Sequence, residues 1–261
     1  MELETLTNSN LGLVLSGGGV KGMAHIGVLK ALTLRGIYPD TISGVSAGAL
    51  VGGLYADGAS VEDMLLFFKE TPLLKYNFVT LNKPGLFDTD KYLPFFNDFF
   101  TAHRFEELEK KLTVVATDLL KGKPKFFKSG ELFLPLLASA ALPPVFSPVS
   151  FNGHLYADGG IMNNFPVEPL VDSCDIIIGC YTSSNRAIGK GQVKNALQIS
   201  QRANLLMLHA NAMDKLCVPD LLFVPKELGN IGVLDKKGID KAYTIGYDYA
   251  NRKLDDWLQL N

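Results

Sequence analysis

One segment near the start of the chain constrains the fold more than any other: an apolar run, a glycine cluster and a helical pattern in direct succession. Residues 11–15 read LGLVL, which is typical of a buried strand. Glycine-rich residues 17–22 follow, and residues 23–35 alternate apolar and polar side chains at helical spacing. A second strand at 41–45 leads into a small-residue helix at 47–56. This alternation predicts an α/β fold with a parallel sheet and covering helices.

Further elements are predicted along the rest of the chain. Apolar runs indicate strands at 112–117, 125–128, 154–157, 175–180 and 221–224. Helical spacing indicates helices near 61–70, 133–141, 193–213 and 237–258. No repeat or linker separates these elements, so we predict a single domain over 1–261. Within it we distinguish a motif-bearing core at about 11–180, an aromatic-rich insert at about 71–110 and a helical C-terminal part at about 181–261.

Composition excludes several classes of function. Of the 261 residues, 47% are hydrophobic and 20% are charged, which argues against a disordered chain. The net charge of −2 gives no overall excess that would point to nucleic acid or to an anionic membrane surface, although it leaves local basic patches open. The three cysteines have no C-x-x-C spacing and the four histidines are scattered, so we expect buried structural thiols and no metal site.

The distribution of apolar residues bears on location. The first ten residues are acidic and polar, so we predict no signal peptide. The longest apolar stretch, residues 132–149, contains four prolines and is unsuited to a membrane span. We therefore expect a cytoplasmic protein, with peripheral membrane contact left open and no expectation for the oligomeric state.

The glycine loop admits two interpretations by itself. Residues 17–22 match G-x-G-x-x-G, which occurs in dinucleotide-binding sites but also in plain tight turns. A dinucleotide site needs an acid at the end of the second strand, where it would hold the ribose. Asp40 precedes that strand instead, and this argues against the dinucleotide interpretation.

A second glycine motif follows the second predicted strand. Residues 44–48 read GVSAG, a G-x-S-x-G sequence in the strand-to-helix position that a nucleophile elbow requires. An N-cap role is the simpler interpretation of Ser46, because serine is favoured there. The two glycine loops together favour catalysis by acyl transfer. Ser46 would attack an ester carbonyl, and the N–H groups of Gly18 and Gly19 would stabilise the oxyanion. Lys21 either adds positive potential or is a solvated surface lysine.

The general base is harder to identify from sequence. His209 lies inside a predicted helix, where we expect a structural role, and His25 lies in the first helix, where packing or hydrogen bonding is expected. His103 and His154 are expected at the surface. Asp158 follows a strand and precedes two glycines, so it is either part of an ordinary turn or the base. A free aspartate has a pKa of about 3.9, and burial would raise this toward the range of a useful base.

Three motifs, taken in order and context, resemble the patatin-like phospholipase family. They are the loop 17–22, the elbow 44–48 and the turn 158–160, with similar text between them: KGMAHIGVLKAL, VVATDLL, SAALPPVFSPV and DGGIMNNFPVEPL. The resemblance covers about residues 11–180. It implies a three-layer α/β/α fold with a central, mostly parallel sheet.

The same resemblance implies a set of site residues. Ser46 and Asp158 correspond to a catalytic dyad that works without histidine, and Gly17, Gly18 and Gly19 correspond to the oxyanion hole. The supporting motif positions correspond to Lys21, Gly22, Gly44, Gly48, Gly159 and Gly160. The family hydrolyses acyl esters of phospholipids, lysophospholipids or neutral lipids, usually without a metal, so a lipid substrate and no cofactor are expected. A catalytically silent lipid-binding protein and a dinucleotide-binding oxidoreductase remain as alternatives.

An aromatic-rich segment at 67–100 also has two interpretations. It holds ten of the chain's 26 aromatic residues, all ten of them Phe or Tyr. Five of them follow the spacing of one helical face: Tyr92, Phe95, Phe96, Phe99 and Phe100. This face either packs into the core or forms an acyl-chain pocket or lid at a membrane interface.

Overall fold

The computed structural model describes residues 9–72, 78–80, 82–183, 187–189, 191 and 193–259. Its described strands are β1 (Leu11–Leu15), β2 (Thr41–Val45), β3 (Lys111–Asp118), β4 (Lys123–Phe127), β5 (Val149–Phe151), β6 (His154–Asp158), β7 (Ile176–Cys180) and β8 (Leu221–Phe223). Its described helices are α1 (Met23–Thr33), α2 (Ala47–Ala56), α3 (Val61–Glu70), α4 (Leu93–Phe99), α5 (Phe133–Ala140), α6 (Glu168–Val171), α7 (Ala196–Ala210) and α8 (Ile239–Gln259).

The strands form one mostly parallel sheet. Its order is β5-β6-β3-β2-β1-β7-β8, with β4 paired to β3. β3, β2, β1, β7 and β8 are mutually parallel, whereas β4, β5 and β6 pair antiparallel. Because parallel strands end at the same edge, the segments that follow β1, β2 and β7 emerge side by side at the carboxyl edge of the sheet.

Two strands meet end to end beside β3. β2 and β4 both pair with Val115, so they lie on opposite edges of β3. β4 and β6 both pair with Ala116, so β6 lies on the same edge as β2. Val45, the last residue of β2, pairs with Val115, and Asp158, the last residue of β6, pairs with Ala116. The carboxyl ends of β2 and β6 therefore face each other across one residue step of β3.

Side chains of the central strands alternate between two separate cores. Leu13 of β1 and Ile178 of β7 belong to the larger core, together with α1, α2, α3 and α5. Val14 and Ile177 point the other way, into a smaller core with Leu170 of α6. Buried side chains on both faces require helical cover on both sides of the sheet, which confirms the predicted α/β/α layering.

Most predicted elements are present with small shifts at their ends. β1, β2, α2 and α3 coincide with the predicted ranges, and the helix predicted at 193–213 is shorter, as α7. β5 and α6 were not predicted, because three or four residues carry too little periodicity. No described helix has the length and apolarity needed to span a bilayer.

The expectation of three buried thiols is wrong for two of them. Cys180 is buried in β7, whereas Cys174 is half-buried and Cys217 is exposed. Cys174 precedes β7 and Cys217 precedes β8, where the chain turns at the surface. All three are free thiols.

The aromatic segment packs mainly into the core. Phe67 and Phe96 are buried and contact each other edge to face, with ring centroids 5.7 Å apart. Phe100 stacks on Phe96 at 5.5 Å, and Tyr92 is buried as well. Of the ten aromatics, Tyr76 lies outside the described residues. The packing fits the core-facing interpretation and leaves little of this face available as an interfacial surface.

Candidate active site

Ser46 occupies a strained turn between β2 and α2. Its φ of +54° lies in the left-handed region that residues other than glycine rarely adopt. A Cβ on Gly44 would lie 2.6 Å from the Gly48 carbonyl oxygen, and one on Gly48 would lie 2.4 Å from the Leu15 oxygen. Only glycine fits at either position. Ser46 stands at the N-cap position of α2, but its side chain accepts no capping hydrogen bond, so the simple N-cap role does not apply.

The Ser46 hydroxyl instead faces Asp158. Ser46 Oγ donates to Asp158 Oδ2 over 2.6 Å, and the other carboxylate oxygen, Oδ1, accepts the Gly160 N–H at 2.8 Å. Asp158 is only 3% exposed. Burial raises its pKa to about 6, although the hydrogen bonds from Ser46 and Gly160 act in the opposite direction. Most Asp158 side chains are therefore ionised at neutral pH, yet far more basic than an ordinary aspartate.

Gly159 and Gly160 allow the turn that aims this carboxylate. A Cβ on Gly159 would lie 2.1 Å from the Val115 carbonyl oxygen, and one on Gly160 would lie 2.9 Å from Asn164 Oδ1. The contact at Gly159 is with backbone and excludes a side chain, whereas the contact at Gly160 is with the end of a side chain that can move. Gly159 is therefore required where the end of β6 turns beside β3.

Ser139, on α5, forms a hydrogen bond with the backbone of Ser46. Its hydroxyl accepts the Ser46 N–H at 2.8 Å and donates to the Val115 carbonyl at 2.6 Å. Ser139 is fully buried. It fills the gap in the ladder between the carboxyl ends of β2 and β6. Sequence reasoning missed this residue, although it lies within the family-like text SAALPPVFSPV.

The glycine loop is held by hydroxyl groups on its inner side. The Gly17 carbonyl accepts hydrogen bonds from Thr182 Oγ1 at 3.1 Å and Ser183 Oγ at 2.6 Å. Because a trans peptide points its C=O and N–H in opposite directions, this fixes the Gly18 N–H away from these hydroxyls. A Cβ on Gly18 would lie 2.3 Å from Thr182 Oγ1, so glycine is needed for this contact. Thr182 and Ser183 follow β7 and were not singled out from sequence.

His25 fixes the preceding peptide of the loop. Its Nε2 lies 2.8 Å from the Ser16 carbonyl oxygen, which can only accept, so Nε2 carries the proton. Burial lowers the pKa of His25 to about 4, with the hydrogen bond to Ser16 acting against this. The ring is neutral at pH 7, and His25 has the structural role that we expected for it.

The remaining residues of the loop lie close to the elbow. A Cβ on Gly22 would be 2.6 Å from the Ala47 Cβ, so the loop and the start of α2 are in direct contact. Gly19 has a φ of +57° and lies under the Val233 carbonyl, which accepts the Val20 N–H at 2.8 Å. Lys21 is only 8% exposed, so the interpretation as a solvated surface lysine is wrong.

A cavity of about 110 Å³ opens directly over these groups. Its floor contains Gly18, Gly19, Ser46 and Asp158. The walls are almost entirely apolar and include Leu50, Phe68, Leu142, Phe146, Leu205 and Leu208. Among the described residues of the aromatic segment, Phe68 lines this cavity. A hydroxyl, a carboxylate and backbone N–H groups thus lie at the bottom of a site suited to a hydrocarbon chain.

The other histidines lie away from the Ser46 hydroxyl. His209 Nδ1 lies 2.7 Å from the Tyr181 hydroxyl, as expected for a structural residue. His103 is exposed, as expected. His154 was expected to face water, but it is half-buried and its Nδ1 lies 2.7 Å from Asp118 Oδ2. Asp118 at the end of β3 and His154 at the start of β6 are brought together by antiparallel pairing.

Asp40 does not serve a dinucleotide. Its N–H donates to the Leu11 carbonyl at 3.1 Å, at the amino ends of β1 and β2. The glycine loop lies at the opposite, carboxyl edge of the sheet. In the part of the chain that the structure describes, no group of three or more His, Cys, Asp or Glu side chains could hold a metal ion.

Comparison with known proteins agrees with this geometry. The sequence model described as patatin-like phospholipase matches residues 13–171. An NTE family protein of Mycobacterium tuberculosis is 34% identical over 185 residues, which cover 69% of this chain and 51% of that protein. A lysophospholipase of Lodderomyces elongisporus is 26% identical over 284 residues, covering 97% of this chain and 20% of that protein. The chain thus spans about half the length of the mycobacterial relative and a fifth of the fungal one.

A solved structure shows the same fold. The crystal structure of VipD from Legionella pneumophila aligns with a TM-score of 0.55 and 15% identity, covering 95% of this chain and 67% of that one. At this sequence identity the alignment shows a shared fold and nothing about function. The sequence match spans the glycine loop, the elbow and the Asp158 turn, so the chain belongs to the patatin-like phospholipase family.

Proposed function

We propose that this protein is a serine acyl hydrolase that cleaves carboxylic esters of phospholipids or lysophospholipids. The observation that carries the proposal is the 2.6 Å hydrogen bond from Ser46 Oγ to Asp158 Oδ2 at the floor of an apolar cavity. A serine and a buried carboxylate in this relation form a nucleophile and base without a third residue. The family to which the chain belongs supports the same chemistry.

In the first step Asp158 accepts the proton of the Ser46 hydroxyl while Oγ attacks the ester carbonyl carbon. The raised pKa of Asp158, about 6, makes this transfer less unfavourable than for an ordinary aspartate. The Gly160 N–H stays on Oδ1 and keeps Oδ2 turned to the serine. The Ser46–Asp158 pair thus supplies both the nucleophile and the proton acceptor.

The tetrahedral intermediate places a negative charge on the former carbonyl oxygen. The N–H groups of Gly18 and Gly19 are the proposed hydrogen-bond donors to this oxygen. The Gly17 carbonyl is held by the Thr182 and Ser183 hydroxyls, so the Gly18 N–H of the same peptide points away from them. Buried Lys21 lies on the same cavity and adds positive potential. Such donors are worth about 10²–10³ in rate each.

Collapse of this intermediate releases the alcohol and leaves an acyl group on Ser46. Protonated Asp158 returns its proton to the departing oxygen, so that the carboxylate is regenerated. Water then loses a proton to Asp158 and attacks the acyl-enzyme, and the fatty acid leaves as Ser46 recovers its proton. Atoms and charges balance with water as the only co-substrate.

The cavity walls favour a lipid as the source of the ester. They are apolar on several sides, which suits an acyl chain and offers little to a polar substrate. One relative carries the name lysophospholipase. We therefore favour lysophospholipids, whose single acyl chain matches one apolar cavity.

The test compares wild type with Ser46→Ala and Asp158→Asn on p-nitrophenyl butyrate, p-nitrophenyl palmitate and lysophosphatidylcholine. The matched control is Ser43→Ala, because Ser43 is buried on β2 and its hydroxyl makes no hydrogen bond to a described residue. We expect a loss of at least about 10³-fold in both dyad variants and full activity in the control. Activity that survives in Ser46→Ala would exclude this nucleophile.

Two other outcomes separate the alternatives. Wild type that binds lysophosphatidylcholine but hydrolyses none of the three esters would indicate a silent lipid-binding protein. A clear rise in melting temperature with NAD would instead favour the dinucleotide-binding alternative.

A further inference from the structure

Helix α7 carries apolar side chains on two opposite sides. Leu205 and Leu208 line the cavity over Ser46. Ile199, Leu206 and Met207 lie on the other side, at i, i+7 and i+8, and are 57%, 44% and 61% exposed. None of the described side chains of this 15-residue helix is fully buried. A helix with an apolar outer face is unusual on a protein surface that meets only water.

The C-terminal end of α7 is tied to the turn that carries Asp158. Asn211 Nδ2 donates to the carbonyl oxygens of Gly160 at 2.9 Å and Ile161 at 3.2 Å. Ile161 and Met162, next to this turn, are 38% and 41% exposed. Asn211 lies four residues after Met207, so the outer face of α7 ends next to this turn. We group the outer face of α7 with Ile161 and Met162 and call them the rim surface.

The sequence that contains α7 is basic, although the chain as a whole is slightly negative. Residues 176–213 contain no Asp or Glu, whereas the whole chain has 27 in 261 residues. Four basic residues lie in this stretch, among them Lys194 just before α7 and Arg202 within it. An apolar helix face in a basic segment complements the acyl layer and anionic headgroups of a lipid bilayer.

A second basic and apolar feature lies at the same edge of the sheet. The turn between β3 and β4 exposes Leu119 and Leu120, and Lys121, Lys123 and Lys125 follow them at exposed positions. Because β3 is parallel to β2, this turn emerges at the carboxyl edge, as Ser46 does. Two separate chain segments therefore present the same chemistry on the side where the cavity opens.

We propose that the rim surface and the β3–β4 turn dock this protein onto an anionic lipid surface, with α7 between the bilayer and the cavity. Leucines on the inner side of α7 then give a lipid chain an apolar path toward Ser46. This inference rests on the proposed function and adds the lipid surface that the protein would bind. Binding to that surface can be measured separately from ester hydrolysis.

The experiment is flotation of the protein with unilamellar vesicles of phosphatidylcholine alone or with about 30% phosphatidylglycerol. Wild type should float with the anionic vesicles, and the bound fraction should fall as NaCl is raised from 0.1 to 0.5 M. The variant Leu206→Ser/Met207→Ser should bind about tenfold more weakly, since it removes two exposed apolar contacts. Lys121→Glu/Lys123→Glu should lose binding to anionic vesicles to a similar degree.

The matched control is Leu34→Ser/Val171→Ser. These side chains are 60% and 50% exposed, but they precede β2 and β7 and so lie at the amino edge of the sheet. The control should bind like wild type, and all variants should keep the wild-type melting temperature. Equal binding by wild type and Leu206→Ser/Met207→Ser, or no binding of wild type to anionic vesicles, would overturn the proposal.

Two further outcomes are informative. If gel filtration shows a dimer that Leu206→Ser/Met207→Ser dissociates, the rim surface binds a second copy of the chain and the proposal is wrong. If wild type floats with anionic vesicles but cleaves no ester, the docking inference stands while the proposed function fails.

Discussion

The Ser139 hydroxyl accepts the Ser46 N–H over 2.8 Å. The same hydroxyl donates to the Val115 carbonyl at 2.6 Å. It therefore restores, through a side chain, the ladder connection that is lost where β2 ends. Since Ser46 has strained dihedral angles, this hydrogen bond helps to hold its backbone in that conformation.

Ser139→Ala should weaken both stability and catalysis. It leaves the Ser46 N–H and the Val115 C=O unpaired in a buried site, which costs about 1–3 kcal/mol of the free energy of unfolding. It should also lower kcat by about tenfold or more with little change in KM, because the nucleophile loses its orientation. Urea denaturation and steady-state kinetics measure the two effects.

Ser43→Ala is again the matched control for that variant. Ser43 is also buried, but its hydroxyl has no hydrogen-bond partner among the described residues. Its loss removes a buried hydroxyl without a partner among those residues, so the free energy of unfolding should stay the same or rise. Equal effects of the two substitutions would mean that the Ser139 hydrogen bonds contribute nothing.

The dependence of kcat/KM on pH should report the ionisation of Asp158. Burial raises the pKa of this carboxyl to about 6, and only the ionised form can accept the Ser46 proton. Activity on p-nitrophenyl butyrate should therefore rise about tenfold per pH unit below pH 6 and level off above it. A plateau that extends down to pH 4.5 would show that activity does not depend on a carboxylate whose pKa is raised to about 6.

Asp158→Asn should stabilise the protein at neutral pH. Because the folded pKa exceeds the unfolded one, the folded state keeps a proton between about pH 4 and 6 that the unfolded state has released. Wild-type stability falls across that window, and above pH 6 the buried charge costs about 2–3 kcal/mol. The asparagine variant should gain this amount at pH 7.5 and almost none near pH 4, as measured by urea denaturation.

Asp118→Asn should behave in the opposite way. Burial raises the pKa of Asp118, but the Lys121 N–H and the His154 ring lower it more, so the net pKa lies below the ordinary value. Its charge stabilises the folded state at neutral pH, and this contribution is lost as the pH falls. The variant should be less stable than wild type at pH 7.5. The same sign in both variants would contradict the assigned pKa directions.

Ser183→Ala tests whether the glycine loop needs its inner hydroxyls. The substitution removes the 2.6 Å hydrogen bond that holds the Gly17 carbonyl, so the Gly18 N–H loses part of its fixed direction. We expect kcat to fall about tenfold, with KM and melting temperature nearly unchanged. Ser150→Ala, at an exposed position on β5, is the control. A fall in melting temperature without a fall in kcat would assign Ser183 a purely structural role.

The sequence predicted the parts of the site that depend on local patterns. Both glycine loops, the strands that lead into them and the Asp158 turn each produce a recognisable spacing, and the structure brings Ser46 and Asp158 into contact. The pairing of Ser46 with Asp158 as a dyad was implied by the family resemblance, because the residues around Asp158 alone are equally typical of an ordinary turn.

Other parts depend on contacts between distant segments. Ser139, Thr182 and Ser183 carry no local motif that distinguishes them from ordinary serines and threonines, so their hydrogen bonds became visible only in the fold. His154 was misplaced for the same reason, since its partner Asp118 lies across an antiparallel pair. The outer face of α7 shows why apolar periodicity alone is insufficient: it indicates a helix but not what covers it.

The end-to-end meeting of β2 and β6 determines how this site can vary. Ser46 and Asp158 are 112 positions apart in the chain, yet their separation is set by adjacent residues of one strand, Val115 and Ala116. The segments that connect β2, β3 and β6 can therefore be lengthened, shortened or exchanged without moving the Ser46 hydroxyl relative to the Asp158 carboxylate. A slip of either β2 or β6 along β3 by one residue would change the separation of the two side chains by a full strand step of about 3.3 Å. Substrate preference can thus diversify in the connecting segments while the register of a single strand preserves the reacting pair.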